Sequence, residues 1–324
     1  MKKHRIVLIV SIIVGVLAIS ALGLYLRFAP KDQDGFPLAI TSFFNDSSKE
    51  SSQELLNEIQ SRLAAGESMT SILKSLYPGH IVVASSGTYS FVPIDASIPK
   101  NTYTVDHLKI SDDGIYSYVK DGRVVSKTGI DVSEFQGDID WQAVKNAGVD
   151  FVFIRALYRG YSNGQMVVDK RFDVNMKGAI DAGLDVGVYV FSQAIDETEA
   201  MEEAREVVDL VKKYHITLPI VYDVERIDYA NARANNLTST QRTLVVKAFL
   251  DEVSNQGYSP MLYHNMEMGA VLLDFPKLTK YDKWLANYTE ELYWPYEYRC
   301  WQYGTAEIDG IKGKVDMDMM MPVE

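Results

Sequence analysis

Residues 218–225 read LPIVYDVE. A mostly apolar run ends in two carboxylates, Asp223 and Glu225, separated by one valine. Side chains two apart on a strand share a face, so both acids point to one side and Val224 to the other. The run sits inside a strand–helix alternation. GIDVSEF (129–135) reads as a strand and DWQAVKNAG (140–148) as a helix closed by Gly148. VDFVFIRAL (149–157) is a strand, KRFDVNMKGAIDAG (170–183) a helix stopped at Gly183, and LDVGVYVFS (184–192) a strand. DETEAMEEAREVVDLVKKY (196–214) has acids in its first turn and lysines in its last, which suits a helix dipole. After LPIVYDVE comes a helix over 238–257, then strand candidates SPMLYHN, DKWLANY, RCWQYG and GKVDMDMM. Four βα units in series predict a parallel sheet with helices outside, either a barrel or a doubly wound sheet. About 197 residues is short for a full eightfold barrel, so the later units are expected to lack full helices.

The rest of the chain divides by composition. MKKHR is followed by a run from Ile6 to Leu26 without a charge. Its length matches a hydrocarbon core of about 30 Å, and the basic residues before it place the N-terminus in the cytoplasm. The reading is an anchor over residues 1–27, single-pass in the cell membrane, with the rest of the chain extracytoplasmic; a cleaved signal peptide ending near Ala18–Ser20 is the alternative. Residues 28–47 read as a linker. Residues 48–126 read as a small α+β domain, with helices over 48–63 and 68–76, strands in HIVVAS, TYSFVPI and GIYSYVKDGRVVSK, and a hairpin turn at Asp121–Gly122. Its expected role is that of a spacer or a docking module for an envelope protein. A net charge of −12 argues against nucleic acid as a partner. The single cysteine, Cys300, allows no internal disulfide, and the five histidines lack metal-ligand spacing. No Gly-rich phosphate loop follows the first strand, and no cofactor is expected.

In a parallel α/β fold the C-terminal ends of the strands carry the functional face. Acids recur there: Asp131 in the first strand, Asp223 and Glu225 in LPIVYDVE, Asp316 and Asp318 in the last. Several acids at one mouth suit a divalent-cation site built from oxygen ligands, or glycoside hydrolysis with one carboxyl protonated and another ionised. Tyr189, Phe191, Tyr222, Tyr263, Trp284, Tyr288, Trp301 and Tyr303 fall at or near strand ends, with Asn265, Asn287 and Gln302 among them. Flat rings stack on sugar faces and amides bond hydroxyls, which favours a sugar over a bare metal. Of these, Tyr189, Phe191, Tyr263, Asn265, Trp284 and Gln302 are the candidate substrate-binding residues.

The segments GIDVSEFQGDIDW, FIRA, GVYVFSQA, PIVYDVE, YHN, KWLANY, WQY and VDMD occur in one order over residues 128–324. In that order and spacing they resemble glycoside hydrolase family 25, the lysozyme-type muramidases. The resemblance implies a TIM-like β/α barrel with a reduced number of helices over residues 127–324. It also implies cleavage of the β-1,4 bond between N-acetylmuramic acid and N-acetylglucosamine in peptidoglycan glycan strands. By position, Glu225 resembles the general acid. Asp223 resembles the acid that assists the N-acetyl group or the transition state. Asp131 and Asp316 resemble the remaining cleft acids, and Tyr189 and Trp284 look like lining residues. Two positions depart from the family pattern: Asp318 stands where asparagine is usual, and Phe135 where His or Trp is common. A non-catalytic wall-binding or scaffold protein that kept the barrel is the competing reading.

Overall fold

The computed structural model describes residues 49–229, 231–288 and 292–322. The segments expected as anchor (1–27) and linker (28–47) lie outside the described residues, among which no helix is long and apolar enough to cross a membrane. The chain divides into two compact units between Ile94 and Asp95. In the first, α1 (Lys49–Ala64) and α2 (Met69–Leu76) precede a hairpin of β1 (His80–Ser85) and β2 (Thr88–Pro93). Ser68 starts α2 by accepting the amide of Ser71 at 3.1 Å, one of the orphan donors of a helix N-terminus. Ile72 and Leu73 of α2 and Ile81, Val82 and Val83 of β1 are buried.

The second unit begins earlier than expected. Residues 95–126, assigned from sequence to the small domain, belong with the barrel. They form a three-stranded antiparallel sheet of β3 (Leu108–Ile110), β4 (Tyr116–Lys120) and β5 (Arg123–Val124), with the expected turn at Asp121–Gly122. The barrel follows: β6 (Lys127–Val132), α3 (Trp141–Asn146), β7 (Phe151–Arg159), the short β8 (Met166–Val168), α4 (Phe172–Asp181), β9 (Asp185–Ser192), α5 (Glu197–Val211), β10 (Ile220–Val224), α6 (Ser239–Asn255), β11 (Pro260–Asn265), β12 (Asp282–Ala286), β13 (Cys300–Glu307) and β14 (Lys314–Met320). β8 is an antiparallel addition to β7 and takes no part in closure.

Seven strands from β6 to β13 run parallel, and β14 closes the ring antiparallel to both β13 and β6. The TIM-like expectation is right in strand number, closure and missing late helices, and wrong in this last strand. The reason is length. Residues 308–313 between β13 and β14 form a tight turn with Gly310 and Gly313 at positive φ, whereas a parallel crossover needs a dozen or more residues. The reversal matters to the site, because it brings the N-terminal part of β14 to the same mouth as the C-terminal ends of its neighbours. Asp316 thereby pairs with Asp131 across the β14–β6 ladder.

Inside the barrel, Phe151, Phe153, Val221, Met261, Tyr263, Trp284, Cys300 and Met320 form one packed cluster. Gly129 makes room for it: a Cβ there would come within 2.1 Å of the Phe151 ring. Outside, α5 and α6 cover β9 and β10. Tyr222, which alternates with Asp223, stacks on Phe249 of α6 at 3.9 Å and gives its hydroxyl to Glu203 of α5 at 2.9 Å. Arg159 pairs with the same buried Glu203 at 2.6 Å.

Among the described residues no helix covers β13, and the β3–β5 sheet takes that place. Tyr116 stacks flat on Tyr303 at 4.1 Å and meets Trp301 edge-on at 5.5 Å. The Tyr303 hydroxyl accepts the Tyr116 amide at 3.2 Å, and Tyr103 packs on Tyr298. Replacing Tyr116 by alanine should therefore destabilise the barrel unit by about 3 kcal/mol. The shift in denaturation midpoint reads it, and an unchanged midpoint would show that the sheet is not part of this core.

Candidate active site

Five carboxyls converge at the mouth: Asp131 from β6, Asp223 at the end of β10, Glu225 just past it, and Asp316 and Asp318 from β14. Asp131 and Asp223 are buried and Asp318 entirely so, while Glu225 and Asp316 are half-buried. Among the described residues no ion pair engages any of the five. Arg155 pairs instead with Asp169 at 2.7 Å and Glu134 at 3.3 Å, and Arg226 with Glu267 at 3.1 Å. All five are shifted toward the protonated form, with burial as the first cause. Burial and Asp316 push Asp131 up to about 8. Burial, then Glu225 and Asp131, raise Asp223 well above the usual range, with Arg155 opposing. Burial raises Glu225, with the Tyr263 hydroxyl opposing and Asp316 adding to the rise. Asp316 is raised by burial. Asp318 is raised well above by burial and then by Asp131. Charges this close cannot all ionise, so the cluster holds protons near neutral pH.

Gln302 organises this group. Its Nε2 donates to Asp131 Oδ2 at 2.7 Å, and its Oε1 accepts the hydroxyls of Tyr263 at 2.8 Å and Tyr288 at 2.6 Å. Tyr263 also reaches Glu225, so one phenol joins the Gln302 hub to the acid on the opposite strand. Gln193, fully buried, donates to the main-chain oxygen of Glu225 at 3.2 Å and fixes the backbone just beyond β10. Asp223 Oδ1 is buried and has no hydrogen-bond partner. Among the described residues no cluster of His, Cys, Asp and Glu is arranged to hold a metal ion.

The structure sorts the predicted binding residues. Tyr189 and Phe191 lie on β9 in half-buried positions, with Phe191 in register with Asp223. Asn265 stands at the end of β11, where its Oδ1 accepts the Met268 amide at 2.9 Å, so half of its amide is spent on a local turn. Trp284 does not line the cleft. It is 1% exposed, stacked on Phe153 at 4.6 Å, and donates its Nε1 to Asp318 at 2.7 Å. It is a floor beneath the carboxyls and has no free face for a sugar. Gln302 and Tyr263, both buried, act through the acids they hold. Tyr222, Trp301 and Tyr303 point out of the barrel, as described above.

Sequence reading missed Gln193, the Arg155–Asp169–Glu134 group and the positions of two rim aromatics. Phe135 and Tyr288 are largely exposed, Phe135 with Arg155 beneath its ring at 5.0 Å. The alternation of Phe151, Phe153 and Arg155 along β7 was the signal available for Arg155. Asp169 lies in an irregular connection and had none.

With this geometry in hand, the comparisons with known proteins agree on one class. The family model described as glycosyl hydrolases family 25 matches residues 130–311. The chain belongs to that family. Over 123 residues it is 32% identical to lysozyme M1 of Streptomyces globisporus, covering 37% of this chain and 40% of that protein. It is 26% identical over 197 residues to the autolytic lysozyme of Clostridium acetobutylicum, covering 59% and 54%. The chain thus spans about half the length of the curated relatives it matches. Among solved structures, the modular autolysin LytC of Streptococcus pneumoniae aligns with a TM-score of 0.56 at 26% identity over 74% of this chain and 58% of its own. A second structure of LytC, in complex with a synthetic peptidoglycan ligand, aligns with a TM-score of 0.55 at the same identity and coverage.

The buried acids carry a signature in stability. Asp131 has its native pKa raised from 3.8 to about 8. Between those values the folded state keeps a proton that the unfolded chain has released, so stability falls as pH rises from 4 to 8. Asp131→Asn should remove the part of that slope that Asp131 contributes, leaving the share of the other raised acids. The variant and the parent should unfold together near pH 4, and near pH 8 the variant should melt higher, by roughly 2–4 °C for each kcal/mol relieved. A melting difference independent of pH would contradict the raised carboxyl.

Proposed function

We propose that this protein is a peptidoglycan muramidase that hydrolyses the β-1,4 bond between N-acetylmuramic acid and N-acetylglucosamine. The observation that carries the reading is the division of labour between two acids two residues apart. Glu225 is half-buried at the mouth, reachable by a substrate, and shifted toward its protonated form. Asp223 lies deeper, with a buried Oδ1 that no donor among the described residues satisfies. Family membership and the LytC complex with a synthetic peptidoglycan ligand support the same substrate class.

In this mechanism Glu225 gives its proton to the glycosidic oxygen as the bond from that oxygen to the anomeric carbon breaks. Positive charge develops on the sugar ring. Asp223 Oδ1 accepts the acetamido N–H or faces the developing charge, and either role strengthens toward the transition state. Asp131 and Asp316 complete the carboxyl wall opposite, with Asp131 held by Gln302. Tyr189, Phe191 and the exposed Phe135 and Tyr288 offer ring faces to the glycan. Water then supplies the hydroxyl at the anomeric carbon and returns a proton to Glu225. The uncharged run Ile6–Leu26 supports an anchor that holds this domain on the outer side of the membrane, with the segment before Asp95 as spacer or docking module for an envelope protein.

A peptidoglycan zymogram of the full-length protein tests the assignment. The parent should clear the gel without added metal, and Glu225→Gln should lose roughly 10²–10⁴-fold in rate. Mass spectrometry of the released fragments should find muramic acid at the reducing end. Clearing by Glu225→Gln would overturn the catalytic role. Absence of clearing by the parent would favour a wall-binding scaffold.

A further inference from the structure

Asp318 is the most deeply buried acid of the cluster and has no direct access to a substrate, since it is 0% exposed beneath the mouth. Its Oδ1 accepts the indole Nε1 of Trp284 at 2.7 Å. Its Oδ2 is buried and receives no donor. Asp318 lies diagonal to Asp131 on the same face of the β14–β6 ladder, two residues from Asp316, the register partner of Asp131, and Asp131 Oδ2 already accepts from Gln302. Two carboxyls in hydrogen-bond contact share a proton, because an ionised carboxylate can only accept.

We propose that Asp318 is a positioning residue that stays protonated through the working range and donates from Oδ2 to Asp131. Asp131, and not Asp318, is then the member of the pair that gains and loses a proton. The placement of the proton follows from the surroundings. The titratable groups that face Asp318 are Asp131 on β6, Asp316 on its own strand, and Cys300 and Tyr303 on β13. None of these is a cation, and Trp284 on β12 supplies one neutral donor to Oδ1. Asp131, by contrast, has the Gln302 donor and an opening to the mouth. An ionised Asp318 would leave Oδ2 buried with nothing to solvate it, whereas a protonated one turns that orphan acceptor into a donor. The shifts run the same way: Asp318 is raised well above its usual value, Asp131 to about 8, and the contact between them lowers Asp131 while raising Asp318. The contact thus keeps Asp131 from being pushed still higher and orients it beside Asp316. This role rests on the muramidase reading for its catalytic meaning, but not for its chemistry.

The test pairs a neutral donor with a non-donor. Asp318→Asn can accept from Trp284 and donate to Asp131, so it should leave the position of the pH limb governed by Asp131 in place. Asp318→Leu removes the donor and should move the limb governed by Asp131 to higher pH by on the order of one unit. In parallel, ¹³C carboxyl NMR of the aspartate-labelled full-length protein, with Asp131 assigned through Asp131→Asn, follows the titration directly. Asp131 should titrate at the same pH in the parent and in Asp318→Asn, and in the parent the Asp318 carboxyl should remain protonated. If Asp318→Asn moves the Asp131 titration to lower pH by a unit or more, Asp318 is ionised in the parent and the proposal is overturned. An unmoved Asp131 in a folded Asp318→Leu protein would overturn it as well. Should Asp318→Leu not fold, the asparagine variant and the NMR titration still decide. Because the titration needs no turnover, a protein inactive on peptidoglycan would sink the muramidase reading and leave this one standing or falling by itself.

Discussion

Closing eight strands into a ring turns alternate side chains of every strand into one shared volume. In this protein the upper part of that volume receives Asp131, Asp223, Glu225, Asp316 and Asp318, while Arg155, which opposes the rise of Asp223, is committed to Asp169 and Glu134. The crowding is tolerated because the groups are not all charged at once. Apolar and aromatic residues below, chiefly Phe153, Trp284 and Cys300, keep water from the base of the cluster. This makes protons, rather than counter-ions, the means by which the charge is relieved. A site organised in this way has its acid already loaded, which is what bond cleavage by proton donation requires.

The supporting residues follow from the same constraint. Each buried acid needs donors, and neutral ones serve without cancelling the shift. Gln302 meets Asp131 while gathering two tyrosine hydroxyls, one of which also reaches Glu225. Trp284 meets Asp318 from below. Gln193 holds the main chain of Glu225. Substitutions at these amides would change the positions and proton affinities of the acids without touching a sugar, so a catalytic role is easily misread from activity loss alone.

The barrel shell shows how a missing helix is replaced. The connection after β11 is made of short helical turns, the described residues between β12 and β13 form no helix, and the connection after β13 is a tight hairpin. The outer face of β13 therefore carries Trp301 and Tyr303 with no helix above them. The β3–β5 sheet covers those rings with Tyr116. Residues 95–126 are for this reason part of the barrel unit, even though their local pattern reads as a continuation of the small domain before them.

Local pattern was enough to read the alternation of strands and helices, the closing glycines, and the acids at strand ends, because those depend on periodicities of two and 3.6 residues and on turn chemistry. It also made the pairing of Asp223 and Glu225 legible before any coordinates. It did not separate inward from outward aromatics: Tyr222 and Tyr263 look alike in sequence, yet one stacks on a helix and the other holds Glu225. Nor did it show that Trp284 lies under the acids, that β14 is reversed, or that Asp318 faces Asp131. These are contacts between strands far apart in the chain, and only closure of the ring brings them together. The sequence by itself determined which residues could be acids at a barrel mouth. The tertiary structure decided which of them are buried, which face one another, and which stand half-buried at the mouth.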